Sequence, residues 1–452
     1  MELFERWLDS HKVKHAVKVD TYVEDGGYCL VAAKDLSPGE TTLEIPEHLF
    51  MSYQSAKQAS SFADVYRILS LESKDPMNLL NLDDIYDSIT QETLILMLFL
   101  LHERSKRDTS LWHPYINLLP CAFSTPLFFT PIELSLLEAS PIRDLALSIR
   151  RSLHEIHAQV VPPLVRTFGD TFLHPSDATL ESFMWAYTVI ESRAFKLNLT
   201  GSDSSTTTTT TTVPALTTVL VPCADLANHV ATIPSATLHS KDFDPVARTF
   251  QIACADVGAR VGEELTLRYN NLANWQLLLH YGFTMLDNPF DRVNLSFEIP
   301  TDAADPRAEV RKAVLLRLGE SAGLGLEHSV QAAGVAGTER VIGEGLMGSL
   351  RLLLMSAEEL ERWDVNNLDK LVGGPASEGN EEAVLETLRN LFEGMRDQYP
   401  TTLRKDWERY ETARGGGNIS KGETYALVYL IGQKQILEDA LVWVEAQEKV
   451  HE

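Results

Sequence analysis

The chain has 452 residues, with 39 Lys and Arg against 64 Asp and Glu, giving a formal net charge of -25. An apolar share of 44% is too high for a disordered chain, and the acidity is the reverse of what a phosphate-gripping nucleic-acid binder carries. The charge favours a basic partner such as a Lys/Arg-rich segment, against the plainer alternative of acid that only keeps the surface soluble.

The length allows two to three domains at roughly 150 residues each. The four cysteines, Cys29, Cys121, Cys223 and Cys254, form no C-x-x-C pair, so no metal cluster and no disulfide framework is expected. Reduced thiols fit an intracellular protein. The N-terminal Met1–Leu8 segment is charged and amphipathic, without a leader's apolar run, and the longest apolar stretch, Leu94–Leu101, is too short to span a bilayer. The expectation is a soluble protein of the nucleus or cytoplasm.

In chain order, a first helix precedes two strands, Tyr28–Ala33 and Glu40–Ile45. Turn chemistry at Ser37-Pro38-Gly39 predicts a hairpin between them, and Pro46 closes the second. From about Ala56 to Leu199 the pattern is helical. Glu92–Leu101 is apolar nearly all round, as in a buried helix, and Trp112-His113-Pro114-Tyr115 reads as a loop. Thr130 with Glu133 three residues on predicts a capped helix start, and another helix is expected over Thr179–Phe195. Ser202–Thr212, with its run of threonines from Thr206, has nothing to bury and reads as a surface insertion.

Strand character returns at Val219–Pro222, Thr249–Cys254 and Leu265–Tyr269, followed by a short helix over Asn274–His280. Beyond Asp305, where Asp305-Pro306 reads as a cap with proline at the first helical position, helices are expected throughout. Val384, Leu385, Leu388, Leu391, Phe392 and Met395 share one helical face, and a final helix is predicted from about Glu423 to Glu448.

Six short motifs arrive in order: Gly26-Gly27-Tyr28-Cys29-Leu30-Val31-Ala32, Leu36-Ser37-Pro38-Gly39-Glu40, Ser192-Arg193-Ala194-Phe195, Pro222-Cys223-Ala224-Asp225-Leu226-Ala227-Asn228-His229, Gly262-Glu263-Glu264-Leu265-Thr266-Leu267-Arg268-Tyr269, and Tyr281-Gly282-Phe283. In this order they resemble the SET-domain protein-lysine N-methyltransferases, in particular the class typified by the Rubisco large-subunit methyltransferase, whose SET core is split by a helical insertion. Asn274-Trp275-Gln276-Leu277 before Tyr281 is most similar to the branch containing SET domain-containing protein 6 and the fungal ribosomal-protein lysine methyltransferases.

The resemblance implies an α+β fold: a β-rich SET domain with pseudoknotted strands, split by a helical insertion and followed by an all-α substrate-binding domain. The expected parts are 1–55 and 201–295 for the two pieces of the SET domain, 56–200 for the insertion and 296–452 for the substrate-binding domain. It also implies S-adenosylmethionine as cofactor, with no metal, and a protein substrate presenting lysine in a basic segment, with neither nucleic acid nor membrane as partner.

The residue roles follow the motifs. The glycine-rich turn lets backbone approach a ligand, so the resemblance puts Gly27, Tyr28 and Cys29 beside the cofactor's methionine part. An arginine at a helix end is ordinarily just solvated; within its motif Arg193 pairs with the cofactor carboxylate. Asn228 offers an amide to the cofactor amine, and His229 serves the adenine through its backbone. Asp225 is expected to organise the loop rather than act as an acid. Tyr269, which in a strand would normally only pack, is the catalytic candidate, its hydroxyl reaching the methyl region and the incoming nitrogen. Tyr281 and Phe283 would wall a lysine channel, their ring faces suiting an alkylammonium. Phe195 is apolar where histidine-methylating relatives place a polar amide, which favours lysine. Histidine methylation, and a catalytically weak SET-fold binding module, are the alternatives. Cys29, Val230 and Asn270 depart from the family pattern, and the departures at Cys29 and Asn270 are what the binding-module reading rests on.

Overall fold

The computed structural model describes residues 1–21, 27–70, 89–199, 216–232, 237–297, 307–331, 342–364, 367–417 and 419–451. The threonine run and the Asp305-Pro306 cap lie outside them. The chain divides into two compact units, one of residues 1–128 and 144–271, the other of 129–143 and 272–452.

In the first unit, helix α1 (Glu2–Ser10) leads into β1 (Lys14–His15), β2 (Val17–Thr21), β3 (Tyr28–Ala32), β4 (Thr41–Pro46) and β5 (Met51–Ser52). After the inserted helices come β6 (Phe195–Leu197), β7 (Thr217–Leu220), β8 (Asn228–His229), β9 (Leu238–Asp244), β10 (Thr249–Cys254) and β11 (Thr266–Leu267). The main sheet runs β1-β4-β10-β9-β11-β8, beside a three-stranded sheet β5-β7-β6 and a β2-β3 pair.

The expected hairpin between the strands at 28–33 and 40–45 does not form. β3 pairs with β2, Val17 opposite Ala32, while β4 lies between β1 and β10. The turn itself is present, with Gly39 at φ +76° and the Glu40 N–H bonded to the Ser37 carbonyl at 3.1 Å. Alternation tells which face of a strand is buried, but not which distant strand supplies its partner.

β11 inserts parallel between β8 and β9, Thr266 opposite Asn228 and Leu267 opposite His229. The segment leading into it is tied to the hairpin of β3: Leu265 N–H donates to Leu30 O at 2.7 Å and Gly262 N–H to Ala32 O at 2.8 Å. Residues 262–267 thus join β3 to the strands β8 and β9.

The insertion is anchored by α2 (Gln91–Ser105), whose residues Leu94 to Leu101 are wholly buried. Each such side chain contributes ~1.5–3 kcal/mol of burial, which explains a helix with no polar face in its middle. It packs on α3 (Leu180–Arg193), capped by Thr179, whose hydroxyl accepts the Ser182 N–H at 3.1 Å. That helix ends two residues earlier than expected: Ala194 is extended and Phe195 opens β6. Trp112–Tyr115, read as a loop, contains a helical turn from His113 to Ile116, with Pro114 in its first turn.

In the second unit the predicted cap is present: Thr130 and Glu133 form a reciprocal box at the head of the helix Pro131–Leu136. The core lies where α4 (Glu344–Leu353), α5 (Glu378–Asp397) and α6 (Lys421–His451) meet; Val384, Leu385, Leu388 and Phe392 pack with Ile436, Leu437, Ala440 and Val444. The part after residue 305 is helical in bulk, and among the described residues it adds one strand, β13 (Glu327–Gln331), antiparallel to β12 (Arg292–Ser296). Asn274 begins a short helix that widens into a π turn over Leu277–Tyr281 and stops at Gly282, φ +78°.

Candidate active site

The parallel pairing of β8 with β11 sets Asn228 and His229 beside the strand that carries Tyr269 two residues beyond its end. The Tyr269 N–H donates to His229 Nδ1 at 3.2 Å, and the two rings lie 5.0 Å apart. The Tyr269 hydroxyl donates to the Ala227 carbonyl at 2.8 Å. With its one proton committed there, the phenol oxygen meets any further partner as an acceptor. Burial, reinforced by the Arg268 charge, pushes His229 down to about 4, so the ring is neutral near pH 7. A neutral, strand-held histidine suits a positioning task rather than proton transfer.

Asn228 Nδ2 donates to Glu264 Oε1 at 2.8 Å, which orients the amide and leaves its carbonyl oxygen as an acceptor. Glu264 also forms a bridge to Val31, next to β3. Gly27 leads into that strand, exposed, and a Cβ built on it would meet nothing within 4 Å among the described residues. Tyr28 is half-buried and Cys29 buried; burial, with Glu264 and Asp20 nearby, pushes the Cys29 thiol up to about 11. Glu264 therefore joins the glycine-rich edge to the Asn228 loop.

Arg193, the last residue of α3, donates through an Nη1 hydrogen to the Asp225 carbonyl at 2.8 Å, and that nitrogen lies 3.7 Å from Asp225 Oδ2. Tyr115 donates its hydroxyl to the same Oδ2 at 2.8 Å. Asp225 is buried, and desolvation pushes its carboxyl up to about 6 against the opposing pull of Arg193 and Tyr115. Just before it, buried Cys223 has φ +78°, unusual for a side-chain-bearing residue; it turns the chain into the helical turn Ala224–Leu226.

Phe195 packs its ring 5.1 Å from Phe250. Tyr281 and Phe283 belong to the second unit, where their rings meet edge to face at 6.3 Å. Sequence reasoning missed Tyr115 and Glu264. Glu264 stood inside a quoted motif but carried no sign of its partner, and Tyr115 stood in a segment read as a loop, 110 residues from Asp225.

The donor set suits S-adenosylmethionine. Among the described residues Arg193 Nε is buried without a hydrogen-bond partner, a donor fit for a carboxylate. The Asn228 carbonyl is an acceptor fit for an ammonium, and the Gly27 edge is open. Among the described residues no group of His, Cys, Asp and Glu is placed to hold a metal ion, and no helix is long and apolar enough to cross a membrane.

Residues 302–437 match the family described as Rubisco LSMT substrate-binding. The chain is 24% identical over 97% of its length to the ribulose-1,5-bisphosphate carboxylase/oxygenase large subunit N-methyltransferase of Pisum sativum, covering 80% of that protein. It is 29% identical over 64% of its length to a ribosomal lysine N-methyltransferase of Schizosaccharomyces pombe, of which 45% is covered. An actin-histidine N-methyltransferase of Canis lupus familiaris is 25% identical over 92% of the chain, with 64% of that protein covered. A structure of Rubisco LSMT bound to sinefungin and monomethyllysine superposes with a TM-score of 0.73 at 24% identity, over 100% of this chain and 92% of that one. The chain has the SET fold of the solved Rubisco LSMT structures.

Proposed function

We propose that this protein is an S-adenosylmethionine-dependent protein-lysine N-methyltransferase acting on a lysine in a basic protein segment. The observation that carries the reading is Tyr269: its hydroxyl is anchored on Ala227 beside His229 and Asn228, an acceptor oxygen just past the end of β11. When bound, the cofactor supplies an electrophilic methyl group on a sulfonium. Arg193 holds the carboxylate of that molecule, Asn228 accepts from its ammonium, and the backbone of Gly27 to Cys29 lies along it.

A lysine enters with pKa ~10.4 and must shed a proton before its nitrogen can attack. Desolvation, together with the positive sulfonium, lowers that value, and the Tyr269 oxygen accepts a hydrogen bond from the incoming nitrogen and aligns it. With the cofactor bound, that nitrogen would be positioned to take the methyl group, the sulfur keeping the electron pair of the broken S–CH3 bond. Phe195 lines the apolar lysine channel, and the helices from 296 to 452 hold the protein substrate. Phe195 favours lysine over histidine, because a phenyl ring offers an imidazole no hydrogen bond. All four thiols are unbonded, which supports action in the reducing cytoplasm or nucleus.

Incubation with methyl-labelled cofactor and cell extract, followed by peptide mapping, should place the label on a lysine. Label on histidine would replace the lysine reading, and no label with no cofactor binding would leave a binding module. Tyr269→Phe should lower turnover about 100-fold while cofactor affinity holds, since removal of one aligned polar group at a reacting centre costs ~10²–10³. Unchanged turnover would remove Tyr269 from the chemistry.

A further inference from the structure

We propose that Tyr115, contributed by the inserted helices, is a positioning residue for cofactor binding: its phenol holds the Asp225 carboxylate in the state and orientation that fix Arg193. The inference rests on the methyltransferase reading and extends it to a residue that no motif contains. Tyr115 is wholly buried, so its hydroxyl has no water to fall back on, and its bond to Asp225 Oδ2 at 2.8 Å spans 110 residues of chain. The same oxygen is 3.7 Å from Arg193 Nη1, which is itself fixed at 2.8 Å on the Asp225 carbonyl. One edge of the guanidinium is thereby committed, and the buried Nε, with no partner among the described residues, is left to meet a carboxylate.

The arrangement is poised. Asp225 Oδ1 is buried with no hydrogen-bond partner among the described residues, so the ionised carboxylate depends on few contacts. The groups facing it are Arg193 from α3, Tyr115 from the turn His113–Ile116 and the Cys223 thiol on its own loop. Desolvation already pushes Asp225 up to about 6, and both Arg193 and Tyr115 pull the other way. Deleting the phenol takes a hydrogen bond from the charged form only, so protonation moves to higher pH and Arg193 loses its counter-charge nearer neutrality.

The test is calorimetric titration of the full chain with S-adenosylmethionine and S-adenosylhomocysteine from pH 5.5 to 8.5. The wild type should bind more weakly below about pH 6. In Tyr115→Phe this acid limb should move up by about one unit, weakening affinity roughly 3-fold at pH 6.5 and restoring it toward wild type at pH 8.5, with kcat at saturating cofactor within about 3-fold. A limb unmoved, or a loss equal at every pH, would overturn the proposal. Asp225→Asn should abolish the limb, and adding Tyr115→Phe to Asp225→Asn should change cofactor affinity less than Tyr115→Phe does alone. If Tyr115→Phe fails to fold, a limb that persists in Asp225→Asn overturns the proposal and one that vanishes supports it. A wild type that binds neither ligand overturns the methyltransferase reading as well; a wild type that binds, with unaltered variants, overturns this inference alone.

Discussion

The carboxylate of Glu264 stands to Asn228 as that of Asp225 stands to Arg193: each holds a polar group proposed to meet the cofactor, by accepting from it or lying against it. Glu264→Ala should therefore weaken cofactor binding about 10-fold, the effect of one charge-assisted hydrogen bond, and leave kcat at saturation nearly unchanged. Equal affinity in calorimetry would show that Asn228 is held by the β8–β11 ladder alone. His229 bears on stability. Its folded-state value is pushed down to about 4 by burial and Arg268, against about 6.5 in an unfolded chain. Its contribution is present above pH 6.5 and is lost as pH falls through 4, because the unfolded state then binds the extra proton. His229→Gln should flatten the fall in Tm between pH 6.5 and 4; a slope as steep as wild type would place the titration elsewhere.

At the level of elements, the site is held by strands too short to stand alone. β8 and β11 have two residues each, and their hold comes from the crossing that ties residues 262–267 to β3. The helices of the second unit stand on side-chain burial instead. Leu388 on α5 is completely buried within the cluster formed with α6. Leu388→Ala should cost ~2–5 kcal/mol in urea unfolding, the range for a large buried side chain cut to a methyl. Lys434 on α6 is buried against Asp406, with its ammonium also over the Tyr399 ring at 4.9 Å. Asp406→Ala would strand that charge and should destabilise by ~3–5 kcal/mol.

For the molecule as a whole, a net charge of -25 predicts an ionic-strength effect. Raising salt from 0.05 to 0.5 M shortens the screening length several-fold, so KM for a basic peptide should rise with salt while kcat stays level. A KM indifferent to salt would reduce the acidity to a matter of solubility.

What was legible in the sequence was local. The capped start at Thr130, the buried faces of α2 and α5, the strand Thr249–Cys254 and the order of the motifs all follow from spacing of side chains along a few turns or a few residues. The glycine, arginine, asparagine and tyrosine positions were proposed only through their motifs, since nothing in a lone Arg193 or Tyr269 separates a ligand contact from packing. The pairing of β4 with β10, the insertion of β11 between β8 and β9, and the meeting of Tyr115 with Asp225 join residues far apart in the chain. Those choices depend on which buried surfaces and backbone ladders complete one another at once, and periodicity within a single segment holds no record of them. The sequence determined the chemistry on offer, acidic and equipped with its polar groups in order; the tertiary structure decided which carboxylate steadies which of them.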